Sequence, residues 1–230
     1  MERSAFAIID VQRGFMPKSE GERLHLEGFG ELGVAGGEQI VERINSVTEA
    51  MARQAAGTII TTQDWHPLET AHFSDNPNFE STWPMHCVAG TPGALLHPDL
   101  TVAKYPGMSY AFTKGEEPCL RPEDDTSYTG ALARGARDGQ SLPDFLRNRE
   151  IEHVYVAGLA LGDGESYPLC VDSTAIDLKQ AGFEVTVVID AVEAVLPENR
   201  QKCFKALGRH GINLAAVEHV VARLQEQDNE

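Results

Sequence analysis

The chain has 230 residues, of which 42% are hydrophobic and 23% charged, the proportions of a globular protein and not of a disordered or fibrous one. Its formal net charge is -16, from 35 acidic against 19 basic residues, so a nucleic-acid backbone or an anionic membrane surface would be repelled. No stretch reaches the roughly 18 apolar residues of a spanning helix, and MERSAFAIIDVQRGF at the N-terminus lacks the basic start and cleavage site of a secretory signal, so a cytoplasmic protein is expected.

In chain order, AFAIID at 5–10 is the first apolar, β-branched run and reads as a buried strand. Residues 18–37, rich in Gly and Glu, read as a polar loop. EQIVERINSVTEAMARQAAG at 38–57 places Ile40, Ile44, Val47 and Met51 on one stripe ahead of Gly57, which predicts a helix. Buried strands are predicted at 58–63 (TIITTQ) and 110–114 (YAFTK), followed by a second polar loop at 116–140. The run VYVAGL at 154–159 predicts a strand, and 171–182, with Val171, Ala175 and Leu178 on one side, predicts a helix that stops at Gly182. A last strand, VTVVID, is expected at 185–190, and the tail LQEQDNE is expected to fray. Alternating strands and helices over this length predict an α/β fold class: a three-layer α/β/α sandwich with a mainly parallel, doubly wound sheet, Rossmann-like, in a single domain over 1–230.

In such sheets ligands bind beyond the carboxyl ends of the strands. The residues there are Asp10, then Asp64 and His66, then Lys114, with Cys170 a little beyond the fourth strand. Asp64 and His66, two apart in an extended segment, leave it on the same face. His72 and His86 complete one carboxylate and three imidazoles, a set that suits a divalent metal, with zinc first and iron or manganese as alternatives.

Four cysteines (Cys87, Cys119, Cys170, Cys203) are too few and too scattered for a disulfide scaffold. Cys170 precedes a helix, whose positive end should lower its pKa from about 8.5 toward neutrality. Cys87 is expected to pack, and Cys119 and Cys203 to be ordinary thiols without convergent partners. Asp10 can serve such a nucleophile as base, and a nearby lysine would favour thiolate and carboxylate together.

Four segments carry a resemblance: Ile-Asp-Val-Gln-x-x-Phe at 9–15, Asp-Trp-His-Pro at 64–67, Trp-Pro-x-His-Cys-Val at 83–88 and Cys-Val-x-x-Thr-Ala-x-Asp at 170–177. With these the chain resembles the isochorismatase-like cysteine hydrolases and, within them, the nicotinamidases. The resemblance implies a catalytic triad of Asp10, Lys114 and Cys170, a metal held by Asp64, His66, His72 and His86, and aromatic pocket walls from Phe15, Trp83 and Tyr128. Lys114 is preferred over Lys104 because Lys-Gly-x-x-Pro at 114–118, followed by Asp125, Ser127 and Tyr128, is similar to the family's pattern; Lys104 is then a surface residue. The implied reaction is hydrolysis of a small amide, nicotinamide to nicotinate and ammonia, through a thioester. A small-molecule amide is therefore the expected partner, with no nucleic acid and no membrane; a homo-oligomer is left open.

One departure from that family lies between Ala160 and Cys170, where LGDGESYPL exceeds the usual spacing by about six residues. Either this segment bulges outward and leaves Cys170 in place, or the pocket and its oxyanion-binding N–H groups are altered. An acyclic carboxamide or ureido substrate, a hydrolase whose nucleophile is a metal-bound hydroxide, and a catalytically altered binding homologue stay open as alternatives.

Overall fold

β1 (Ser4–Ile9) is buried along its whole length, because both faces of the strand are covered. The computed structural model, described for residues 3–228, explains why: Ala5, Ala7 and Ile9 point into one apolar layer and Phe6 and Ile8 into the other, as the two-residue period of a strand dictates. β1 pairs in parallel with β2 (Thr58–Asp64) on one side and β5 (His153–Leu161) on the other. Outside them lie β3 (Ser109–Lys114) and β4 (Arg134–Gly135) at one edge and β6 (Glu184–Ala194) and β7 (Asn213–Ala215) at the other, giving the order β4-β3-β2-β1-β5-β6-β7. Only the short β4 runs antiparallel to its neighbour.

Helices cover both faces. α2 (Ile40–Arg53) buries the predicted stripe Ile40, Ile44, Val47 and Met51 and packs with α6 (Val217–Asp228) on one face. α3 (Leu142–Asn148), α4 (Cys170–Gln180) and α5 (Arg200–Arg209) pack on the other, α4 through Val171, Ala175 and Leu178. This is the expected three-layer arrangement with a mostly parallel sheet. Among the described residues no helix is long and apolar enough to cross a membrane.

The structure departs from the sequence reading in three places. The second expected loop, 116–140, contains the short β4, which pairs with β3. The stretch expected as loop from residue 18 begins with a helix, α1 (Lys18–Leu24), which ends at His25 in the left-handed conformation. Its buried positions are Glu20 and Gly21, so it has no apolar stripe for periodicity to detect. It is held by charge: the Glu20 carboxylate accepts from Arg23 at 2.8 Å and faces His97 at 3.2 Å. The expected fraying of the tail is also displaced, because α6 carries Leu224 into the core and continues to Asp228; residues 229–230 lie outside the described part.

Gly158 fixes the spacing of the two central strands. It has φ +123°, and a Cβ there would lie 2.0 Å from the carbonyl oxygen of Ile9, the residue before Asp10. Gly158→Ala should therefore cost about 2–4 kcal/mol, from overpacking plus a strained backbone. Urea unfolding of wild type and variant measures it; an unchanged midpoint would mean that the strands separate freely.

Candidate active site

Three strand ends and one helix start converge on a lysine. Asp10 follows β1 with φ +49°, and its backbone N–H donates to the Thr62 carbonyl at 3.2 Å and to the Thr62 hydroxyl at 3.3 Å. The same hydroxyl donates to Asp10 Oδ1 at 2.7 Å, so one threonine fixes both the backbone and the carboxylate. Asp64 and Lys114 end β2 and β3 in register. Lys114 Nζ forms an ion pair with Asp10 Oδ2 at 2.8 Å, donates to Asp64 Oδ1 and to the Ser127 carbonyl (2.5 Å), and lies 3.5 Å from Cys170 Sγ. Cys170 is the first residue of α4, and its Sγ lies within 4.8 Å of carboxylate oxygens of both Asp10 and Asp64. Lys104, by contrast, is exposed.

Gln12 locks this end of the sheet. Its side-chain amide donates to the carbonyls of Asp64 (2.8 Å) and Ala94 (2.9 Å) and accepts the N–H of Asp64 at 2.8 Å. A buried amide with its donors and acceptor satisfied holds the strand that bears Asp64 against the turn after β1.

The electrostatics assign unequal states to the two carboxyls. Burial pushes Asp64 up, but Lys114 and then His66 outweigh it and hold this carboxyl below the ordinary carboxylate range. For Asp10 burial wins over Lys114, and the neighbouring Asp64 charge adds to it, so its affinity for a proton is raised. Lys114 stays protonated: burial works against its charge, but Asp10 and Asp64 prevail. The thiol of Cys170 contradicts the expectation of a pKa lowered by the helix terminus. Burial pushes it well above its ordinary value against the opposing effect of Lys114, and the carboxylates of Asp10 and Asp64 push in the same direction as burial. A helix end contributes about half a charge, which two nearby carboxylates in a dry site exceed. The resting group is a thiol next to a carboxylate of raised basicity.

The histidines form a second cluster against the first. Ligand-capable nitrogens of His66, His72 and His86 lie within 4.8 Å of one another, and all three residues are buried. Asp64 spans the two groups, with Oδ1 on Lys114 and Oδ2 3.6 Å from His66 Nε2. Both ring nitrogens of His66 and Nε2 of His72 are buried without a hydrogen-bond partner. Orphaned imidazole nitrogens facing one another are costly unless an ion takes their lone pairs, so the residues fit a divalent cation. Burial first, then proximity to His66, depresses His86 to about 4, which keeps it neutral and able to ligate. Its Nδ1 is directed at the Pro84 carbonyl (2.7 Å), an outer contact that leaves Nε2 for the cation.

The corresponding contacts of His72 were not legible in the sequence. Nδ1 of His72 meets the Thr70 hydroxyl at 3.2 Å, the Cys119 thiol at 3.5 Å and the Asp125 carboxylate at 3.7 Å. Cys119, expected to have no convergent partner, therefore lies beside a candidate ligand; β2 and the turn after β3 bring it there from 47 residues away. Thr62 is the one supporting residue that strand alternation exposes, since it shares a strand face with Asp64. His66→Ala should lower zinc affinity by more than the roughly 10–100-fold typical of losing an outer-shell partner. Metal content after dialysis against a graded chelator measures this, and undiminished zinc would remove His66 from the ligand set.

Against the two clusters lies a pocket of about 50 Å³. Phe15, Trp83 and Tyr128 all line it, together with Cys170, His72 and His86. Trp83 Nε1 donates to the Tyr128 hydroxyl at 2.6 Å, and the Phe15 ring sits 5.4 Å from that of His86. No Lys or Arg is among the lining residues; Lys114 lies behind Cys170, paired with the carboxylates of Asp10 and Asp64.

A fold and a site of this kind, a buried Asp-Lys-Cys group at the carboxyl edge of a parallel sheet, define a class of cysteine hydrolase. The isochorismatase domain model matches residues 4–115 and 121–219. The nicotinamidase of Acinetobacter baylyi is 32% identical over 83% of this chain and 81% of its own length, and that of Escherichia coli 30% identical over 93% and 95%. The crystal structure of the pyrazinamidase of Pyrococcus horikoshii in complex with zinc superimposes with a TM-score of 0.71 at 29% identity, covering 93% of this chain and 99% of that one. The chain belongs to the isochorismatase family of cysteine hydrolases and is related to its nicotinamidase and pyrazinamidase members.

Proposed function

We propose that this protein hydrolyses nicotinamide to nicotinate and ammonia, with Asp10, Lys114 and Cys170 as the catalytic group and Asp64, His66, His72 and His86 holding a divalent metal, zinc first. The observation that carries the reading is Lys114 Nζ: it touches Asp10, Asp64 and Cys170 at once, next to a cluster of three imidazoles in which His66 and His72 have nitrogens without a hydrogen-bond partner. The pocket supports the substrate class. The aromatic walls from Phe15, Trp83 and Tyr128 suit a planar ring.

In this mechanism Asp10 takes the Sγ proton of Cys170, and the thiolate attacks the carboxamide carbon. Burial raises the proton affinity of both groups, which opposes ionisation of the thiol but makes Asp10 a stronger base; once the proton has moved, Asp10 no longer repels the sulfur anion and Lys114 at 3.5 Å faces it. The oxyanion of the tetrahedral intermediate is held by backbone N–H groups at the start of α4, donors of the type worth about 3 kcal/mol each. Asp10 then returns its proton to the departing ammonia, and the C–N bond breaks to leave a thioester. Water, deprotonated by the same carboxylate, attacks the thioester, releasing nicotinate and restoring the thiol with the Asp10 proton. The bound metal would supply a Lewis-acid contact that orients the pyridine nitrogen. Phe15, Trp83 and Tyr128 hold the ring, and the sheet edge excludes bulk water around Lys114.

The test is ammonia release from a panel of nicotinamide, pyrazinamide, an aliphatic amide and an amide bearing a carboxylate. Nicotinamide is expected to be turned over with the highest kcat/KM. Strong release from the carboxylate-bearing amide and none from nicotinamide would replace this substrate by an acyclic one while leaving the chemistry in place.

A further inference from the structure

The segment that lengthens the approach to Cys170 is built as a rigid arm. At its base the Asp172 carboxylate accepts the N–H groups of Gly162 (3.2 Å) and Leu169 (2.7 Å), so the two ends of the insertion share one side chain. Within it, the Asp163 carboxylate accepts from the N–H groups of Glu165 (2.8 Å), Ser166 (3.3 Å) and Tyr167 (2.9 Å). Gly164, with φ +74°, rests on the backbone of α5, where a Cβ would lie 2.5 Å from the Lys202 carbonyl carbon. The Cys203 thiol donates to the Gly162 carbonyl at 3.3 Å. These contacts leave Cys170 in place beside Lys114 and send the insertion outward.

The arm projects Tyr167, whose hydroxyl donates to the carboxylate of Glu80 at 3.2 Å, across 87 residues of sequence. Glu80 stands in a turn fixed by Asn78, whose side-chain oxygen accepts the N–H groups of Glu80 (3.0 Å), Ser81 and Thr82 (each 2.9 Å). The Glu80 carbonyl in turn accepts from the Tyr128 hydroxyl at 3.4 Å, and Tyr128 is held by Trp83. A continuous chain, Tyr167–Glu80–Tyr128–Trp83, therefore ties the segment carrying Leu169 and Cys170 to the rings of Tyr128 and Trp83; these four line the pocket, and Tyr167 and Glu80 stand just outside its lining.

We propose that Tyr167 and Glu80 are specificity-determining residues that bridge the pocket entrance and restrict it to compact, single-ring amides. The inference rests on the proposed amidase reading for its substrates but not for its geometry. Both ends of the bridge are anchored by backbone-directed carboxyl or amide groups, so the gap that it spans is set by fixed elements and not by two free side chains. Breaking the bridge should widen the entrance without moving Asp10, Lys114 or Cys170.

The experiment compares wild type, Tyr167→Phe, Tyr167→Ala and Glu80→Ala in two ways. First, alkylation of Cys170 by iodoacetamide and by the bulkier fluorescein-5-maleimide is timed by mass spectrometry of the Cys170 peptide. Second, kcat/KM is measured for nicotinamide and for a nicotinamide with a bulky ring substituent. Loss of the hydrogen bond in Tyr167→Phe and Glu80→Ala is expected to raise the bulky-to-small ratio in both readouts by about 3- to 10-fold, with nicotinamide turnover within about twofold of wild type. Tyr167→Ala should raise it further. An unchanged ratio in Tyr167→Phe and Glu80→Ala, with melting temperatures equal to wild type, would overturn the bridge. If wild type releases no ammonia from nicotinamide, the substrate reading fails, and the alkylation ratio still decides the bridge by itself.

Discussion

Cys170→Ala is expected to abolish ammonia release from nicotinamide, a loss of at least about 10⁴-fold in kcat/KM. The reason is the composition of the site. Asp64 is committed to Lys114 and the imidazoles, Asp10 is held by Thr62 and Lys114, and the lining hydroxyls of Ser127 and Tyr128 are engaged by Asp125 and by Trp83, so the nucleophile of the pocket wall that stands beside a base and a cation is the thiol. The side chain lies at the first turn of α4, where alanine is accommodated without strain, and Val171, Ala175 and Leu178 keep the helix docked. Melting temperature and zinc content should therefore stay at wild-type values. Cys170→Ser should be nearly as inactive, because an alkoxide is far harder to form than a thiolate at the same position. Substantial turnover by Cys170→Ala would assign the nucleophile to a metal-bound hydroxide instead.

Lys114→Met should damage stability as well as activity. The lysine is buried with its ammonium against Asp10 and Asp64, and removing it leaves two carboxyls in a site with no replacement cation of the protein's own. Breaking a buried pair in this way typically costs about 3–5 kcal/mol. For a chain of this size that corresponds to a drop of roughly 6–20 °C in melting temperature. Activity should fall with it, since the charge facing Cys170 Sγ at 3.5 Å is lost. Adding Asp10→Asn removes one uncompensated carboxyl and should recover part of the stability, while leaving the enzyme inactive for want of a base. A single variant as stable as wild type, or a double variant with restored turnover, would contradict the arrangement of roles given to Asp10 and Lys114. Differential scanning calorimetry and the ammonia assay on the same preparations separate the two effects.

The layers, the sheet and the edge at which chemistry occurs were legible in the residues themselves. Short apolar, β-branched runs such as AFAIID, alternating with helical patterns, read as central strands of a covered sheet, and the stripe Ile40, Ile44, Val47, Met51 marks one helix face. Periodicity reports burial of apolar side chains and is silent about elements held by charge, which is why α1, built around the Glu20 carboxylate, was invisible.

For the site, residue type and position after a strand sufficed to gather Asp10, Asp64, His66, Lys114 and Cys170, because the ends of neighbouring parallel strands are close in any sheet of this kind. The state of each group was not legible. Whether a thiol at a helix start is acidic depends on the competing charges and the depth of burial around it, and only the folded chain shows that two carboxylates and a dry environment outweigh the helix terminus at Cys170. The same holds for the partners of His72 and for Tyr167 on Glu80. Such contacts join segments 47 and 87 residues apart through side chains with no local pattern, so they exist only once the sheet has set the distance between the loops.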